Sequence, residues 1–90
     1  MANKFRKDPD AVLDYRWNWE QWLQVDEAIV AHVITAPAGI TLDNDSHDTN
    51  SVTAWLSGGT INTIYIVACK ITTDGGRTDE RSIQIRVAER

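Results

Sequence analysis

Cysteine occurs once in this 90-residue sequence, at position 69, so no internal disulfide can staple the fold. No apolar run approaches the roughly 20 residues that a membrane span needs. The first ten residues, MANKFRKDPD, hold no hydrophobic segment of the signal-peptide kind. The expectation is a protein made in a cytoplasm, with no membrane partner. Catalytic signatures are missing too. Ser57-Gly58-Gly59 does not match a nucleophile elbow, and no loop has the glycine spacing that cradles phosphate. Asp79 and Glu80 are chain neighbours on an expected strand, so they face opposite ways and cannot work as an acid–base pair.

Metal chemistry is discounted on the same grounds. His32, His47 and Cys69 lack the tight local spacing of a structural zinc site, which takes about four ligands. Asp43, Asp45 and Asp48 cluster in the chain, but the turn glycine of a calcium loop is replaced by Asp48, and Ala54 stands where the closing Glu belongs. A solvated acidic loop is the expectation there. Neither an enzyme nor a cofactor is expected.

What is present is β-forming sequence. The stretch Thr60 to Val87 reads as two long runs rich in β-branched and aromatic residues around Thr73-Asp74-Gly75-Gly76, a strong turn signal. In the first run Tyr65, Val67, Cys69 and Ile71 form an unbroken apolar set suited to a core. The other set begins with Ile64, Ile66 and Ala68 and turns polar at Lys70 and Thr72, as an outer face that meets a partner would. In the return run Ile83, Ile85 and Val87 alternate with Ser82, Gln84 and Arg86, one side buried and one wet. Arg77, Asp79, Glu80 and Arg81 are expected to pair across the hairpin near its tip.

Upstream, Asp8 should be extended, because it precedes Pro9. Strands are expected over 11–17, 28–36, 40–42 and 51–56, with Pro37-Ala38-Gly39 ending the second of these. In the second strand both alternate sets, Ile29, Ala31, Val33 and Val30, His32, Ile34, are largely apolar, which fits a central strand or an outer face in contact. Residues 43–50 read as a polar loop. Between the first two strands, Trp19, Trp22 and Leu23 have the spacing of one helical turn, with Asn18 as its cap. That turn is expected to plug one end of a sandwich with indole rings. The count of strands and their turn spacing predict one domain: an all-β, antiparallel, immunoglobulin-like β-sandwich over 11–90, preceded by an extended N-terminal arm over 1–10.

Charge is distributed unevenly. Residues 1–7 carry +3, residues 8–74 carry −8 and residues 77–90 carry +1, which together give the net −4. A basic arm on an acidic body is poorly suited to wrapping nucleic acid. It suits a tail that docks on an acidic neighbour. The expected contact residues are Lys4, Phe5, Arg6 and Lys7 of the arm, with a patch of Ile64, Ile66, Trp55 and Val30.

Three blocks carry a resemblance. They are Asp8-Pro9-Asp10 with LDYRWNWEQWL over 13–23, WLSGGT over 55–60, and ITTDGGRTDERSIQIRV over 71–87, with Pro37-Ala38-Gly39 between them. The chain resembles the small fibre–tail adaptor and virion structural proteins of tailed bacteriophages. The resemblance implies a non-enzymatic module, present in symmetric copies on a virion, that contacts other virion proteins of the tail, the head–tail connector or the fibre. A capsid decoration or cement protein is the alternative within the virion. A carbohydrate-binding module stacking sugars on Trp17, Trp19, Trp22 and Trp55 is the alternative outside it.

Overall fold

The computed structural model describes residues 3–88 as seven strands in two sheets. The strands are β1 (Asn3–Lys7), β2 (Leu13–Asn18), β3 (Ile29–Thr35), β4 (Ile40–His47), β5 (Ser51–Gly58), β6 (Thr63–Thr73) and β7 (Thr78–Val87). The larger sheet has the order β1-β7-β6-β3 and the smaller β2-β5-β4. All pairings are antiparallel except β1 with β7. This is the immunoglobulin arrangement, with the first strand laid beside the last.

The β6–β7 hairpin forms as the alternation demands. Tyr65, Val67, Cys69 and Ile71 from β6, and Ile83, Ile85 and Val87 from β7, are all buried. They face Tyr15 and Trp17 from β2 and Val52, Ala54 and Leu56 from β5. Burying these side chains supplies the main stabilisation, at about 1.5–3 kcal/mol for each fully covered aliphatic. Cys69 belongs to this layer, where burial pushes its thiol up to about 12. Tyr65 stands near the start of β6 and its hydroxyl accepts a bond from Thr60 N–H at 2.9 Å. This tyrosine corner ties the β5–β6 loop to the core.

The indole plug forms too. Leu23 N–H bonds Trp19 C=O at 3.0 Å, and Asn18 Oδ1 accepts from Glu20 N–H at 2.8 Å. Trp19 is buried and donates from Nε1 to Asp79 at 2.8 Å, which satisfies its polar edge inside the fold.

Four expectations are corrected. The part of the arm over residues 3–7 is an edge strand, in register from Asn3↔Ile83 to Lys7↔Val87. Without it the outer edge of β7 would show unpaired backbone groups. Residues 1–2 lie outside the described part. Second, β4 runs on through Asp43-Asn44-Asp45-Ser46-His47, where a loop was expected, because pairing with β5 supplies partners that outweigh weak strand propensity. Third, β3 is an edge strand, and a bulge between Ile29 and Ala31 changes its phase. Ile29 is buried, but beyond the bulge His32 and Ile34 are the better-covered residues while Ala31 and Val33 are exposed. Fourth, the charges at the hairpin tip do not pair across the hairpin. Arg77 reaches Glu27 in the loop before β3, and Arg81 lies 3.3 Å from Asp79 on its own strand.

Candidate functional site

Every second residue of β1, β7 and β6 points out from the larger sheet, and register decides which of them become neighbours. Two cross-sheet rows follow from it. Lys4 lies beside Gln84, which lies beside Ile66; Arg6 lies beside Arg86, which lies beside Ile64. Lys4, Phe5, Arg6, Ile64, Gln84 and Arg86 line one open groove. Its lining holds three cations and no carboxylate, although the chain as a whole carries net −4. Ile64 and Ile66 are 53% and 57% exposed on its apolar side. The surface therefore offers a greasy strip flanked by cations, suited to an extended segment that carries both apolar and acidic side chains.

The residues expected at a contact surface divide into those gathered here and those placed elsewhere. Lys4, Arg6, Ile64 and Ile66 come together around the groove. Phe5 contributes to the lining, but its ring turns to Tyr15 across the sandwich seam, edge to face at 5.1 Å. Lys7 is corrected outright. Its side chain is fully buried, and its ammonium donates to Asp8 C=O and Gly58 C=O, both at 2.8 Å. Burial lowers its pKa, and no contact with a partner is open to it. Val30 is exposed but sits at the β3 bulge, near the hairpin tip and far along the sheet from Ile64. Trp55 is 41% exposed on the smaller sheet, across the sandwich from the groove.

Gln84 and Arg86 are the site residues that sequence reading missed. Alternation in β7 marked them as wet, but only the register of β1 against β7 shows that they join Lys4 and Arg6. The row of stacking indoles is not formed either. Trp17 and Trp19 are buried, Trp22 lies under the Arg77 guanidinium at 3.9 Å, and Trp55 stands apart.

Among the described residues no three His, Cys, Asp or Glu side chains converge as a metal site. The Cys69 thiol is buried, and its raised pKa leaves it protonated and without nucleophilic character near neutral pH.

No curated protein matches the chain. A family model does, that of the podophage GP4 fiber-tail adaptor protein gp77, over residues 7–86. That match takes in β2 to β6 whole and β7 as far as Arg86, so this immunoglobulin-like sandwich with its cation-flanked outer groove belongs to the podophage GP4 fiber-tail adaptor protein gp77 family.

Proposed function

We propose that this phage structural protein joins tail to fibre by docking one partner on the outer face of the larger sheet. The observation that carries the reading is the groove of Lys4, Arg6 and Arg86 around Ile64, with no acid in its lining. Cations at the rim set orientation and speed of docking, and the exposed isoleucines supply the area to be dried. The partner segment is apolar and acidic and lies along the groove. The chain acts without catalysis, as one of several copies.

Removing the first ten residues does not test this, because β1 is part of the sheet and its loss would unpair β7. Outward-facing substitutions do. Arg6→Glu with Arg86→Glu reverses two charges at the rim, and Ile64→Asp wets the strip. Each variant should melt within a few degrees of the parent and fail to enter virions in a complementation assay. Incorporation at parental levels by both variants would overturn the groove as the docking surface.

A further inference from the structure

Two histidines that are distant in the chain meet at the seam where β3 closes on β4. Each of these strands is the edge of its own sheet, so the seam joins the two layers. His32 Nδ1 lies 2.6 Å from His47 Nδ1, and His32 Nε2 lies 2.6 Å from Asp45 Oδ2. The rings stand nearly edge-on, at 77° with centroids 4.8 Å apart. A carboxylate only accepts, so His32 carries a proton on Nε2. In the neutral ring its Nδ1 is then a bare lone pair aimed at His47, whose Nδ1–H fills the gap. An outer carboxylate that sets the tautomer, with the inner nitrogen directed at a second imidazole, is the geometry that prepares histidine for a metal.

We propose that His32 and His47 form a two-imidazole chelate for a divalent transition ion such as zinc or nickel, with Asp45 as the positioning residue. The ion takes the place of the bridging proton. His47 moves that proton to its Nε2, so each ring gives one Nδ1 lone pair and no net proton is lost. Two imidazole nitrogens on a tetrahedral ion stand about 3.3 Å apart, given metal–nitrogen bonds of about 2.0–2.1 Å. The rings must therefore part by less than about 1 Å, and exposed His47 is free to do so. With no third protein ligand among the described residues, water fills the remaining positions. The bound ion is exchangeable, and a donor from a docked neighbour could complete it. Imidazole prefers transition ions, whereas calcium and magnesium prefer oxygen. The seam is on the opposite edge of the sheet from the cation-lined groove, so this inference stands or falls apart from the docking reading.

The test uses the whole chain. Imidazole 15N signals and melting curves are recorded with zinc chloride, nickel chloride and calcium chloride. Zinc should move both imidazoles and raise Tm with the logarithm of its concentration; calcium should do neither. His47→Gln, a surface change that leaves the fold intact, should abolish the response, and His32→Gln should match it. Cys69→Ser should keep it. Asp45→Asn should weaken zinc binding by about 10-fold or more and alter the His32 tautomer signature, which loss of packing alone would not do. Unmoved imidazole signals in the parent chain, or a zinc response that survives His47→Gln, would overturn the site.

Discussion

The two ends of the sandwich are closed by different physics. At the hairpin-tip end the closure is charged and aromatic. Glu27 accepts from Arg77 Nε at 2.9 Å and from the Thr73 hydroxyl, while Arg77 lies over Trp22 and donates to its carbonyl. Trp19 is seated between Asp79 and the Arg81 guanidinium, whose centre is 5.0 Å from the indole. At the other end the closure is steric. Gly39 and Gly59 take φ of 101° and 100°, and the chain packs so tightly that a methyl added at Gly59 would stand 2.5 Å from Val87 Cγ2. Tyr65 and Lys7 bond to main-chain groups there. Ile64 and Arg86, walls of the groove, are next to this second end. The end beside the groove is held by close backbone approach that acid does not remove, whereas the far end depends on an ion pair that acid can.

The contrast can be tested one substitution at a time. Trp19→Ala should be most damaging, at about 3–5 kcal/mol of unfolding free energy in urea titration, since it empties a fully buried indole site. A cost under about 1 kcal/mol would show that the plug does not hold that end. Gly59→Ala should cost about 2–4 kcal/mol, combining left-handed backbone strain with a clash at Val87. Adding Val87→Ala should relieve the clash but not the strain, so a double-mutant cycle should show partial coupling; strict additivity would remove the steric account.

Glu27→Gln should have a smaller effect that depends on pH. The hydrogen bond from Arg77, aided by those from Gln24 N–H and Thr73, lowers the Glu27 carboxyl from 4.5 to about 2. A folded-state value below the unfolded one means that the contribution is complete above about pH 4.5 and fades as pH falls toward 2. The parent should therefore lose Tm across that interval more steeply than Glu27→Gln. Parallel curves would mean that the hairpin-tip end is not held by this carboxylate. Tyr65→Phe should be the mildest, a fall of a few degrees in Tm that does not vary below neutral pH, because it deletes one bond to Thr60 and leaves the ring in place. An acid-dependent loss in Tyr65→Phe would erase the distinction between the ends.

Strand type was easiest to read where one side chain set was wholly apolar. Tyr65, Val67, Cys69 and Ile71 could face only inward, and the glycines at the turn set the hairpin around them. Reading failed where a strand is held by its neighbour and not by its own composition. β1 has a single apolar residue in its described part, Phe5, and β4 spends its second half on Asp, Asn, Ser and His. The groove was legible in half. Ile64 and Ile66 stood out as apolar residues on the wrong face, and Lys4 and Arg6 as basic, but nothing in the chain order tied them to Gln84 and Arg86.

Side-chain alternation alone was enough to specify a two-layer β fold with an inert thiol inside, because a period of two admits only one buried face for each strand. Which outward residues meet, and that His32 meets His47, depended on register and on two bulges, one in β3 between Ile29 and Ala31 and one in β4 between Leu42 and Asn44. Those are properties of strand pairs, settled by backbone hydrogen bonds between segments far apart in the chain, and local composition does not encode them.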